Sequence, residues 1–296
     1  MFKFFKTKII VGKIKNEIVI QGKGLQNGLV SKITIQDNPK QDGIFFNRNG
    51  LSTKVNPEIL HGNDTTTTMM LMDRTSIICI EHLLSALYGL NVRNAIIELG
   101  GENEIPILGG DSFSFIKKIY AELQFKTKLV DVISFNESLT VYDDEDSSRY
   151  IKLSPTKQSW LQVDATVSYE KSNIKLQKLI FDFENKEKYI DEISHAKTSY
   201  PLIILSNSDI NLLKSRLLGV KVKGKGKNMN IYNKNITKGS FYEDEVVRHK
   251  ILDFMGDLST TGSVFTNVKI ELFKPGHNLN IKFSKIINGL IKQHNK

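Results

Sequence analysis

Residues 240–258 read SFYEDEVVRHKILDFMGDL, and His249, Asp253 and Asp257 recur in them at intervals of four. Ser240 followed by Glu243 has the form of a capping box, and Glu243, Asp244 and Glu245 put negative charge where a helix dipole favours it. At about 100° per residue, Val247, Ile251, Phe254, Met255 and Leu258 form one apolar face. His249, Lys250, Asp253, Gly256 and Asp257 lie roughly opposite. The stretch is predicted as an amphipathic helix with a histidine–aspartate stripe. On this helix alone, a solvated face is the readier explanation of the stripe, since charged residues opposite a core face are the norm.

Around this helix the chain alternates between two patterns. Short β-like runs, KIIVGKI, EIVIQGKGL and KITIQD, precede a helix from about Glu81 and another from about Ser112. From about residue 127 the pattern restarts, with strands LVDVISF, SLTVYD and LQVDATVSY, then helical segments near 188–198, 207–217 and 241–258. A strand SVFTNVKIELF and a last helix NLNIKFSKIINGLIKQ close it. Strands followed by helices, twice, predict an α+β fold of two similar domains, 1–126 and 127–296.

The 296 residues, 40% hydrophobic with 16 Phe, suffice for a globular core. A single cysteine, Cys79, excludes a disulfide framework and a thiolate cluster and fits a reducing compartment. Lysines interrupt the apolar N-terminus MFKFFKTKIIVGK, and no later segment nears about 18 uninterrupted apolar residues, so a cytosolic chain with no transmembrane segment is expected. A net charge of +9 suits nucleic acid, an anionic membrane surface or a phosphorylated small molecule. The one concentrated basic run, KVKGKGK at 221–227, is glycine-spaced and reads as a flexible loop. Neither a stacking-aromatic motif nor a helix-turn-helix pattern accompanies it, so no nucleic-acid partner is expected.

Of the six histidines, His82, His249 and His277 stand out. His82 opens the helix in ICIEHLLSALYGL, where Ile80, Leu83, Leu84 and Leu87 make the core face and leave Glu81 and His82 off it. His277 falls in FKPGHNLNIKF, between a strand and the last helix. Two histidines and one carboxylate without cysteine form the ligand set of an open catalytic metal site, with His249 and Asp253 on one helix and His82 the best third ligand. Water held by such a metal ionises near neutral pH, and a nearby carboxylate can take its proton. The same set also describes the Fe(II) facial triad, so Zn2+ and Fe2+ both fit.

IEHLLSALYGLNVRNAIIELGGENEIPILGG, VVRHKILDFMGDL and FKPGHNLNIKF resemble, in order and spacing, the signature segments of the UDP-3-O-acyl-N-acetylglucosamine deacetylases, zinc enzymes of lipid A synthesis. The resemblance implies metal ligands His82, His249 and Asp253, with Glu81 as general base. It makes His277 the protonated group that delivers a proton to the leaving amine and Asp257 the residue that orients it. Thr198 matches a threonine that polarises the acetamide carbonyl, Lys250 and Lys274 match substrate-contacting lysines, and Tyr169 falls where an aromatic stacks on uracil. An insert near 165–190 would line the acyl-chain passage with Ile174, Leu176 and Leu179. The family fold is two domains, each a sheet backed by helices, with the helices sandwiched between the sheets. An acylated UDP-amino sugar is the implied substrate, handled by a monomer.

Four segments depart from the family pattern. Gln26 stands for a histidine in GLQNG, Gly109-Gly110-Asp111 replaces Asp-Gly-Ser, the KGKGKN loop replaces a Gly-Gly-Ser segment with its following Asp, and Ser199 replaces an aromatic. These altered walls leave a second reading open: a paralogue that binds nucleotide-lipid precursors without turning them over.

Overall fold

The computed structural model describes residues 2–63, 65–169, 176–201, 230–232 and 241–294. The helix expected near 207–217, the lysine loop at 221–227 and Ile174 lie outside them. Within them the chain is α+β, with two five-stranded sheets and helices packed between them. One sheet runs, edge to edge, Ile18–Lys23, Val30–Gln36, Ala95–Gly101, Ile44–Arg48 and Leu51–Lys54. The other runs Leu139–Tyr142, Tyr150–Pro155, Val268–Phe273, Leu161–Val167 and Gln177–Phe183. Their orders match: in each, the last strand in sequence sits in the centre, antiparallel to one neighbour and parallel to the other.

Each sheet buries one face. Ile18 and Ile20 point inward while Val19 is exposed, and Ser31, Ile33 and Ile35 repeat the alternation, the period-two pattern of a sheet with one face covered. Both inner faces pack on one continuous core that also takes in the helices. Phe2–Ile14 and Leu123–Phe135 form a separate two-stranded antiparallel ribbon of 13 residues a side, so residue 126 falls inside a strand. The strands over 44–48, 51–54, 95–101, 150–155 and 177–183 have no counterpart in the sequence reading.

Five α-helices are present among the described residues: α1 (Glu81–Gly89), α2 (Phe113–Tyr120), α3 (Lys186–Glu192), α4 (Glu245–Ser259) and α5 (His277–His294). The start of α4 corrects the predicted capping box. Ser240 is outside the described residues, 241–244 form bends and turns, and the helix begins at Glu245. The buried Glu245 carboxylate accepts the amides of Phe241 and Lys197, so its own side chain ties down the entering chain. The polar stripe is not a solvated face either, since His249, Asp253, Gly256 and Asp257 are all buried. Glu81 and His82, placed off the core face of α1 by the sequence reading, are buried as well.

Gly256 explains how these two helices reach each other. A Cβ there would collide with the Glu81 carbonyl oxygen and come within 3.0 Å of its carbon. The missing side chain lets α4 lie against the first turn of α1, which carries Glu81 and His82. Gly62 does the same for a three-stranded hairpin sheet (Leu60–Gly62, Thr67–Met70, Ser76–Ile78), where a Cβ would meet the His277 carbonyl carbon and Asn278 nitrogen at 2.6 Å. Gly256→Ala should cost about 1–3 kcal/mol, the usual penalty of overpacking. Gly289→Ala on α5, where an added Cβ meets nothing within 4 Å, should gain about 0.5–1 kcal/mol from helix propensity. Urea unfolding of both variants checks the contrast.

Candidate metal centre and acid–base pair

Three elements deliver the site. The chain leaves strand Ser76–Ile78 through Cys79, whose φ of 63° is the left-handed region that non-glycine residues rarely enter, and turns into α1 with Glu81 and His82 in its first turn. α4 presents His249, Asp253 and Asp257 on successive turns. α5 begins at His277 itself, after Lys274 at φ 50°, so His277 is the first helical residue where the sequence reading placed a turn. Together they line a cavity of about 760 Å³ that includes Glu81, His82, His249, Asp253 and His277.

His82, His249 and Asp253 offer ligand atoms all within 4.8 Å of one another. Asp253 Oδ1 lies 3.5 Å from His82 Nε2 and 3.3 Å from His249 Nε2, yet it is buried with no hydrogen bond. The protonation of His249 explains this. Burial, helped by the nearby His82 and Lys250 and opposed by Asp253, lowers its pKa to about 4, so the ring is neutral. Its Nδ1–H donates to the Ala196 carbonyl at 3.0 Å, which leaves a lone pair on Nε2. A lone pair then faces a carboxylate oxygen across 3.3 Å, an arrangement that a shared cation relieves. Burial opposes the charge on Asp253, but the cationic Lys250 and His277 beside it hold its carboxyl well below the usual range. Its other oxygen accepts from Lys250 Nζ at 2.8 Å. The donor set is that of an open divalent-metal site.

Glu81 and His277 sit on either side of this group with opposite proton affinities. Burial raises the Glu81 pKa, and His277 and His82 pull it part of the way back. Thr66 Oγ1 donates to its carboxylate at 3.0 Å and the Thr67 amide at 3.1 Å. For His277, burial alone would depress the pKa, but Asp257, Asp253 and Glu81 lift it to about 9. Its Nδ1–H lies 3.0 Å from Asp257 Oδ2 and 3.1 Å from Thr67 Oγ1, while Thr67 donates its own hydrogen to Asp257 Oδ1 at 2.6 Å. Asn280 Nδ2 adds a bond to Asp257 Oδ2 at 2.9 Å. The imidazolium is therefore locked at Nδ1, and its Nε2–H faces the cavity, 3.8 Å from Asp253 Oδ2.

Of the other residues singled out in the sequence, Thr198, Lys250, Lys274 and Tyr169 line the same cavity. Leu176 is 64% exposed and Leu179 is half-buried against the core, and neither borders the cavity. The sequence reading missed Thr66, Thr67 and Asn280, and the Ala196 carbonyl. The run TTTT at 65–68 signals only strand propensity, and a main-chain acceptor carries no sequence signal at all.

A sequence profile of the UDP-3-O-acyl N-acetylglycosamine deacetylase family matches residues 12–288. Proteins named UDP-3-O-acyl-N-acetylglucosamine deacetylase are similar along nearly their whole length. That of Aquifex aeolicus is 33% identical over 278 residues, 92% of this chain and 90% of the relative. That of Saccharophagus degradans is 32% identical over 289 residues, 95% and 89% respectively. That of Nautilia profundicola is 30% identical over 280 residues, 92% and 89%.

The raised pKa of His277 makes a prediction with a definite sign. Its folded value of about 9 exceeds the ordinary 6.5, so the ion pair stabilises the fold fully below pH 6.5 and the benefit is lost as pH rises through about 9. Asp257→Asn should lower the His277 pKa and flatten that pH dependence. Nitrogen-15 NMR of the ring in chelator-treated protein, with denaturation at several pH values, reads both.

Proposed function

The chain belongs to the UDP-3-O-acyl N-acetylglycosamine deacetylase family, and we propose that it hydrolyses the N-acetyl group of UDP-3-O-(3-hydroxyacyl)-N-acetylglucosamine, releasing acetate, as a metal-dependent step of lipid A biosynthesis. The observation that carries this reading is the convergence, in one cavity, of a His–His–Asp ligand set with a carboxylate base and an imidazolium acid. His82, His249 and Asp253 would hold the ion, Zn2+ or Fe2+, and when bound it would supply a Lewis acid that polarises the acetamide oxygen and acidifies water. Glu81, gripped by Thr66 and Thr67, takes the proton of the attacking water at its carboxylate. His277, locked at Nδ1 by Asp257 and Thr67, gives its Nε2 proton to the departing amine. Thr198 orients the acetamide carbonyl, Lys250 and Lys274 contact the substrate, and Tyr169 stacks on uracil.

The matching order of the two sheets supports two similar domains, expected over 1–126 and 127–296, with the boundary inside the ribbon strand Leu123–Phe135; Gln177–Phe183, in the range expected to be an acyl-chain insert, is itself a strand of the second sheet. A paralogue that binds nucleotide-lipid precursors without turnover has no use for an acid and a base held in opposite protonation states, which favours the catalytic reading.

Acetate release from the acylated nucleotide sugar by the purified chain is the direct test, and its absence from metal-loaded protein would overturn the proposal. Near-stoichiometric zinc or iron is expected by elemental analysis and should be lost in His249→Ala; full retention in both His82→Ala and His249→Ala would remove the proposed site. The kcat/KM profile should be bell-shaped, falling at acid pH as Glu81 takes up a proton above the ordinary carboxylate range and at alkaline pH as His277 loses one near 9. Glu81→Ala should erase the acid limb and His277→Ala the alkaline one, each slowing the reaction about 10²-fold or more.

A further inference from the structure

The ribbon of Phe2–Ile14 and Leu123–Phe135 does nothing for the cavity, since no cavity-lining residue comes from it. It is anchored at both ends. Phe2 and Phe4 pack on Phe135 and His294 at one end, and at the other Gly12 pairs with Val92 just beyond the C-terminal end of α1. Between these anchors its two strands differ by face. Thr7, Ile9, Val11 and Val130 are half-buried, whereas Lys6, Lys8, Ile10, Thr127, Leu129 and Asp131 are all exposed.

The register places those six exposed residues together. Lys6 stands opposite Asp131, Lys8 opposite Leu129 and Ile10 opposite Thr127, so all share one face and Ile10 and Leu129 are diagonal neighbours on it. Their relative exposures, 56% and 55%, are high for large aliphatic side chains. The ribbon carries six lysines against the single carboxylate of Asp131. Lys13 and Lys128 meet Asp37 and Asp42 at 3.3 and 3.9 Å, and among the described residues Lys3, Lys6, Lys8 and Lys126 form no ion pair.

We propose that this face is a docking surface for an anionic lipid bilayer. On this face Ile10 and Leu129 are flanked by Lys6 and Lys8, with Asp131 across from Lys6, and the ribbon as a whole carries an excess of lysine, which matches an interface where apolar side chains enter the headgroup boundary and long cationic stems reach lipid phosphates. Glu81 and His82 lie at the opposite end of α1, about 13 Å along its axis from the ribbon-side end, so docking here leaves the cavity free of the membrane contact. The reading is independent of the chemistry proposed for the cavity.

Vesicle co-sedimentation tests it. The full chain should pellet with vesicles containing about one-third phosphatidylglycerol, should not pellet with pure phosphatidylcholine, and should bind more weakly as salt rises. The double variants Ile10→Ser with Leu129→Ser, and Lys6→Ser with Lys8→Ser, should each weaken binding at least fivefold while keeping the wild-type thermal midpoint. Val19→Ser with Leu51→Ser, exposed aliphatics on the first sheet, should bind as the wild type does. No binding to anionic vesicles overturns the proposal. So does binding lost with the lysines but unchanged without Ile10 and Leu129, which is adsorption of charge alone, or tighter binding to single-stranded RNA than to vesicles.

Discussion

Helix α4 can deliver ligands to the same point as α1 only because Gly256 has no side chain where the Glu81 carbonyl presses against it. His82 and Glu81 sit in the first turn of α1, so whatever sets the spacing at that turn also sets the distance from His82 to Asp253. Gly62 performs the matching service at α5, bringing the hairpin that carries Thr66 and Thr67 onto the backbone of His277. A metal site tolerates ligand displacements of only a few tenths of an ångström. Two glycines therefore control geometry that neither of them takes part in.

Burial then gives the same residue types different charges. His249 and His277 are both buried histidines, yet one is pushed down to about 4 and the other up to about 9. The difference lies in their partners. His249 spends its Nδ1–H on a neutral carbonyl, so desolvation dominates; His277 spends its own on the buried Asp257, which together with Asp253 and Glu81 outweighs desolvation. Glu81 moves up by the same desolvation that moves His249 down, because burial penalises whichever form is charged. A base, a neutral ligand and an acid arise from carboxylate and imidazole alone.

Several features were legible from residue pattern. The four-residue spacing of His249, Asp253 and Asp257 predicts one helical stripe, and α4 carries it. The Glu81–His82 pair also lies at the strand-to-helix junction where the sequence puts it, whereas His277 opens the last helix instead of sitting in the turn before it. The start of α4 was misread because Ser240 and Glu243 satisfy a capping rule that is local, whereas Glu245 is tied to Lys197 and Phe241 by folding. Strands such as Ala95–Gly101 and Tyr150–Pro155 went unread because a short apolar run carries no length signal to separate it from a helix.

By itself the sequence determined the α+β class, the absence of a thiolate cluster, the ligand types and the segments that resemble the deacetylase family, since these depend on residue identity and short-range spacing. Tertiary structure alone decided that the polar stripe of α4 is buried rather than solvated, that Thr67 and Asn280 complete the Asp257–His277 pair, and which histidine is charged. Each of those outcomes rests on atoms brought together from distant parts of the chain and on the water their packing excludes. Neither quantity is encoded at any one position.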